Sequence, residues 1–192
     1  RTRAAPHARP PAKSGRGVRG PGMTLVGALT GWFRNMQFIA EDLGYLTPEV
    51  HRLLRDSGLP GMKVLEFAFD TREASNYLPH TYPENCVCYA GTHDNETLQQ
   101  WKQNAAKQDI ALAKRYLGLN PAEGFNMGLM RGGMGSVARL FVAQIQDWLN
   151  LGAEARINTP GTPEGNWQWR LTAERLTPAL TKKIADMTEL YG

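Results

Sequence analysis

Two carboxylates, Glu41 and Asp94, each stand where an apolar run breaks into a polar turn. Glu41 follows Phe38-Ile39-Ala40 and leads into Asp42-Leu43-Gly44; Asp94 closes the run Val87-Cys88-Tyr89-Ala90-Gly91-Thr92-His93 and is followed by Asn95. A carboxylate at the C-terminal end of a buried strand, just before a loop and a helix, is where barrel and other α/β enzymes keep their reactive groups. Paired carboxyl groups suit glycoside chemistry, with one serving as acid/base and another as nucleophile or charge stabiliser. His93 is fitted to bond a sugar hydroxyl, and Asn76, Tyr77, His80 and Tyr82 form a polar, aromatic loop of similar character. Each has a plainer reading. A strand-end Asp is commonly a cap or turn former, and an isolated His such as His80 a satisfied structural residue. Trp167 and Trp169 read either as a stacking platform or as core anchors, and their pattern favours the core.

The elements that must position these residues follow from local signals. Thr24 to Trp32 is mildly apolar and suits a helix. Phe38 to Ala40 reads as a short strand. Thr47 as N-cap, Pro48 in the first turn and Gly58 as stop bound a second helix. Met62 to Phe69, ending at Asp70, and Cys86 to Tyr89 read as strands, and a fourth is expected at Ala155-Arg156-Ile157. Helices are expected from Asn95 to about Asn104, over Ile110 to Leu117, from Ser136 to Trp148 with Val137, Leu140, Phe141, Ile145 and Leu149 on one stripe, and from Pro178 to Leu190. Strands spaced by helices imply a parallel sheet in an α/β fold of about four βα units. A (β/α)8 barrel needs eight such units and typically about 250 residues, so this chain forms an open sheet or half a barrel.

Charge and composition narrow the function classes. The net charge of +4 resides in residues 1–22, which hold six Lys/Arg and no Asp or Glu, whereas residues 23–192 carry 16 basic and 18 acidic groups. Residues 1–22 are therefore expected to be a disordered, Arg/Pro/Gly-rich leader, and residues 23–192 the folded part. A leader of this kind suits a basic tail or transit peptide as well as an unstructured start. The near-neutral folded part argues against nucleic acid as a partner. No apolar run reaches the roughly 18 residues of a membrane span. Cys86 and Cys88 fall on one face of their strand and are expected to be buried, reduced thiols, which suits a cytoplasmic setting. No metal or nucleotide motif stands out: Gly132-Gly133-Met134-Gly135 lacks the preceding strand and following Lys-Ser/Thr of a phosphate loop.

Six ordered blocks carry a more specific signal. They are Ala40-Glu41-Asp42-Leu43-Gly44 with Thr47-Pro48-Glu49-Val50; Gly58-Leu59-Pro60-Gly61-Met62-Lys63-Val64-Leu65; Asn76-Tyr77-Leu78-Pro79-His80; Gly91-Thr92-His93-Asp94-Asn95; Glu154-Ala155-Arg156-Ile157-Asn158 with Pro160-Gly161-Thr162; and Gly165-Asn166-Trp167-Gln168-Trp169-Arg170-Leu171. From about Ile39 onward the chain resembles the C-terminal portion of the amylomaltases, the 4-alpha-glucanotransferases or disproportionating enzymes. The resemblance implies the C-terminal half of a (β/α)8 barrel and retaining transfer of α-1,4-glucan segments between maltooligosaccharides, with no cofactor and no metal. It assigns acid/base duty to Glu41, transition-state stabilisation to Asp94, and sugar contact at the reacting subsite to His93, Asn158 and Asp70; Asn76 and His80, from the polar loop, are the further substrate-binding candidates. Glu66 stands where such proteins often have Gln.

The family's nucleophilic Asp belongs to an Arg-Ile-Asp-His block that does not occur in these 192 residues. Retention requires that nucleophile, because the covalent intermediate forms on it. The expectation is a fragment that is inactive alone, with an exposed sheet edge that a missing N-terminal half of the barrel would cover. An α-glucan hydrolase of similar layout and a non-catalytic glucan-binding module are the alternatives.

Overall fold

Where the sequence carries explicit stop and start signals, the chain obeys them. In the computed structural model, which describes residues 2–4, 16–44, 46–72 and 75–192, helix α2 (Pro48–Ser57) begins on Pro48 and ends at Gly58, whose φ of 65° is the left-handed conformation that glycine adopts without cost. Thr47 holds the N-cap position, yet its side chain makes no capping bond. Helix α1 (Met23–Trp32) matches the apolar run after residue 22. Two compact units make up the chain, residues 1–59 and 60–192.

In the first unit α1 packs against α2, and strand β1 (Thr2–Ala4) pairs antiparallel with β2 (Arg16–Val18). Those six residues pair in a short ladder where a disordered leader is expected, residues 19–22 carry no helix or strand, and residues 1 and 5–15 lie outside the described residues. Phe38 to Ala40 is not a strand. It has no pairing partner among the described residues, so the run stays extended and irregular, with Phe38 edge-on to Phe33 at 6.5 Å.

The second unit is built on a parallel sheet in the order β3 (Gly61–Val64), β4 (Cys86–Tyr89), β5 (Leu140–Val142). The expected strand from Met62 to Phe69 is thus cut short at Val64, and Leu65–Phe69 coils into a 3₁₀ turn that drives Leu65, Ala68 and Phe69 into the core. Cys86 to Tyr89 forms the expected strand. Both thiols are buried and neither is in a disulfide, and burial pushes Cys88 up to about 12. Helix α3 (Leu98–Asn104) is capped by Thr97, whose Oγ1 accepts the Gln100 amide at 3.2 Å. Helix α4 (Lys107–Leu117) ends at left-handed Gly118.

Two expectations fail between residues 125 and 157. The stripe of Val137, Leu140, Phe141, Ile145 and Leu149 is not one helix: β5 and the short helix α6 (Ile145–Trp148) divide it, and Phe125–Met134 forms helix α5 instead. The glycines of α5 explain its use. A Cβ on Gly133 would collide with the Phe141 ring, and one on Gly132 with Leu117, so only bare backbone lets α5 seat against α4 and β5. Ala155-Arg156-Ile157 is likewise not a strand. The Ala155 carbonyl accepts Gln146 Nε2 at 3.2 Å and the Ile157 carbonyl accepts the Trp167 amide at 2.7 Å, so side-chain and loop donors take the place of a ladder. The last helix, α7 (Pro178–Tyr191), is capped by Thr177. The core centres on Phe69, which meets Trp101 at 6.2 Å and Tyr116 at 6.0 Å between ring centroids.

Candidate functional site at the end of strand β4

Beyond β4 the chain turns sharply through Gly91 to Asn95. Asn95 Oδ1 accepts both the Thr92 amide, at 2.9 Å, and the Thr92 hydroxyl, at 2.7 Å, while the Asn95 amide donates to the Thr92 carbonyl at 3.0 Å. The turn is thereby closed on itself, and His93 and Asp94 at its tip are exposed. Side chains from the 156–158 segment then fix Asp94. Asn158 Nδ2 donates to Asp94 Oδ1 at 2.6 Å, and His93 Nε2 lies 3.3 Å from that same oxygen. Arg156 supports from behind: Nη2 donates to the Asp94 carbonyl at 2.9 Å, Nε to the Asn158 carbonyl at 2.9 Å, and Nη1 stands 3.6 Å from Glu96 Oε1. Glu96 Oε1 also accepts Asn104 Nδ2 at 2.8 Å, which ties the cluster to α3.

Trp167 completes the group. Its ring lies 5.0 Å from the His93 ring at 45°, it is 55% exposed, and its backbone has a φ of 62°, rare for a side chain of that size. The preference for a core anchor is therefore corrected: Trp167 faces outward, held in place by its amide bond to Ile157, while Trp169 is half-buried. A carboxylate with one oxygen gripped by an amide, an imidazole beside it and an exposed indole against that imidazole together make a surface for hydroxyl-bearing, flat-faced ligands.

The other expected residues have different partners. Asp70 is forked by Arg72, with Nε 2.8 Å from Oδ1 and Nη2 2.5 Å from Oδ2; hydrogen bonds from Arg72 hold its carboxyl down at about 2. His80 Nδ1 is 2.8 Å from the Tyr116 hydroxyl, the satisfied arrangement of a structural histidine. Asn76 is exposed, and its carbonyl accepts the Thr81 hydroxyl at 3.3 Å. Glu41 is exposed within the irregular segment of the first unit, beside buried Asp42. Arg156 and Glu96 are the members of the cluster that sequence reasoning did not single out as site residues, and Trp167 takes the stacking role that its pattern placed second. Of these, Arg156 was legible as the charge placed two residues before Asn158.

The fold and site define a parallel α/β protein with a carboxylate cluster at a strand end. A family model described as 4-alpha-glucanotransferase matches residues 3–177, and the chain belongs to that family. The match begins well before Ile39, where the recognisable motifs start, and includes most of residues 1–22. The 4-alpha-glucanotransferase of Clostridium butyricum is 42% identical over 182 residues, covering 94% of this chain and 37% of that protein. That of Thermus thermophilus is 44% identical over 187 residues, again 94% and 37%. The chloroplastic/amyloplastic 4-alpha-glucanotransferase of Solanum tuberosum is 38% identical over 181 residues, covering 93% of this chain and 31% of that one. Among solved structures, the amylomaltase from Streptococcus agalactiae in complex with acarbose superposes with a TM-score of 0.87 at 36% identity, over 94% of this chain and 37% of its own. The chain thus spans little more than a third of the relatives it matches. Among the described residues no helix is long and apolar enough to cross a membrane, and no group of three or more His, Cys, Asp or Glu is disposed to hold a metal ion.

Proposed function

We propose that this chain carries part of the sugar-handling site of a 4-alpha-glucanotransferase that moves α-1,4-glucan segments between maltooligosaccharides with retention. Asp94 stabilises positive charge developing at the reacting sugar, and His93 and Asn158 fix its carboxylate while offering hydrogen bonds to ring hydroxyls. Trp167 stacks on a sugar face. Glu41 gives a proton to the leaving glycosidic oxygen and then takes one from the acceptor hydroxyl. Asp70 contacts the sugar at the reacting subsite and Asn76 adds a further sugar contact, while His80, bonded to Tyr116, holds their loop in place. The observation that carries this reading is the 2.6 Å bond from Asn158 to an Asp94 oxygen that His93 also approaches.

The same reading makes the parallel sheet part of the C-terminal half of a (β/α)8 barrel, completed by the half that carries the Arg-Ile-Asp-His block. Exposed Leu140 and Val142 on β5 support it, since apolar strand residues call for a covering element. The chain alone does not catalyse transfer, because the Arg-Ile-Asp-His block is not among its residues. Its setting is cytoplasmic, in keeping with two buried cysteines that form no disulfide.

Calorimetric titration of the chain with maltotriose tests the site. Saturable binding that W167A and N158A weaken supports it; binding unchanged by both substitutions contradicts it. Production of free glucose by the unaltered chain would overturn the account of its inactivity.

A further inference from the structure

Two buried carboxyl groups, one under the Gly91–Asn95 turn and one at the start of α3, are used by no step above. Glu66, in the 3₁₀ turn after β3, is 6% exposed, and Asp147, on α6 after β5, is 1% exposed. One oxygen of each, Glu66 Oε1 and Asp147 Oδ2, is buried with no hydrogen-bond partner. Asp147 Oδ1 accepts the Leu98 amide at 2.8 Å. The Glu66 carboxyl presses against Gly91, where a Cβ would lie 2.9 Å from Oε1, so it forms the floor of the turn that carries His93 and Asp94. The Glu66 amide bonds the Ala90 carbonyl at 3.3 Å and anchors that floor to β4.

We propose that Glu66 is a positioning residue, a neutral carboxylic acid under the Gly91–Asn95 turn, and that with Asp147 it holds one proton and one negative charge. Two ionised carboxylates in this interior would each keep a buried oxygen without a hydrogen-bond donor, which burial makes costly. A single proton removes one of the two charges. Burial pushes Glu66 well above the usual carboxylate range, and Asp147 and Glu96 reinforce the shift while Arg156 opposes it; these are the charged groups that face Glu66 from α6, from the loop before α3 and from the 156–158 segment. Asp147 Oδ1 has the Leu98 amide as a donor to its charged form whereas Glu66 Oε1 has none, so the charge resides on Asp147 and the proton on Glu66; burial raises Asp147 to about 6. Loss of the proton puts a second charge beneath Gly91 and loosens the turn. The consequence for sugar binding rests on the reading of His93 and Asp94 given above; the proton itself does not.

The sign follows from linkage. An acid whose folded-state affinity for its proton is raised stabilises fully below its unfolded value, and that contribution disappears as pH rises through the folded value. Above about pH 6, where Asp147 is already ionised, the unfolding constant of the intact chain should rise about tenfold per pH unit until Glu66 ionises. The test is denaturant unfolding between about pH 6 and pH 9, with the Gly91 amide followed by nitrogen-15 NMR over the same range. The expected result is that E66Q, which keeps shape and a donor but has no proton to lose, flattens the stability limb and holds the Gly91 signal still. If E66Q folds poorly, D147N serves instead: with the like charge gone, both limbs should move to lower pH. An E66Q chain that keeps the original limb, or a D147N chain with both limbs unmoved, overturns the proposal. Maltotriose affinity read in parallel separates the two claims, since a Gly91 limb without sugar binding refutes the sugar site and leaves Glu66 in its role.

Discussion

Asn158 Nδ2 reaches Asp94 Oδ1 at 2.6 Å across 64 residues of sequence, joining the turn after β4 to the segment after α6. A hydrogen bond to a charged group contributes about 1.5–3 kcal/mol, and the exposure of this pair places it near the lower end. N158A should therefore lower the thermal midpoint by a few degrees and, because Asp94 loses its fixed orientation, weaken maltotriose binding in calorimetry.

Trp167 has a left-handed backbone, φ 62°, and an exposed ring that lies 5.0 Å from the His93 ring. Glycine adopts that conformation freely, whereas alanine pays about 1–2 kcal/mol. W167G should thus unfold at higher denaturant concentration than W167A, while both lose sugar affinity to a similar degree. Equal stability of the two would place the strain elsewhere.

Glycines in two helices should respond with opposite signs. Gly27 in α1 has nothing within 4 Å of where a Cβ would go, so G27A should gain about 1 kcal/mol of helix stability. Gly133 in α5 faces the Phe141 ring, so G133A should lose about 1–3 kcal/mol through overpacking despite its better propensity. Denaturant unfolding monitored by circular dichroism distinguishes them.

Arg131 grips Glu123 at 2.8 Å through both Nε and Nη2, and the hydrogen bonds from Arg131 lower the Glu123 carboxyl below its ordinary value. A depressed acid stabilises above its unfolded pKa and loses that contribution as pH falls through the folded value. E123Q should be less stable than the parent at neutral pH by at most about 1 kcal/mol, because the pair is partly solvent-screened. The difference should close as pH drops below the ordinary Glu value of 4.5.

Much of the fold was legible because its signals are local. Pro48 and Gly58 bound α2, Pro178 opens α7, and the unbroken run Cys86 to Tyr89 is the central strand. Helix α5 was not, because Phe125 to Met134 contains three glycines and poor helix propensity; its reason to be helical is contact with Leu117 and Phe141, residues known to be neighbours only after folding. Strand β5 was hidden for a related reason: three residues, Leu140 to Val142, fell into helical register with Val137 and Ile145. At the site, the types of His93, Asp94 and Asn158 were readable, and the structure brings them together. Trp167 was misread because its exposure depends on a backbone turn that side-chain pattern does not encode.

The most direct test of the central claim is maltotriose disproportionation by this chain joined to the Arg-Ile-Asp-His-bearing segment of a relative, with Asp94 intact and as D94N. The account predicts a ladder of longer oligosaccharides with free glucose from the joined protein, and a rate lower by about 10²–10³ in D94N, the scale of losing a group that stabilises transition-state charge. Shortening products alone, or a D94N protein that makes the ladder at the parent rate, would contradict it.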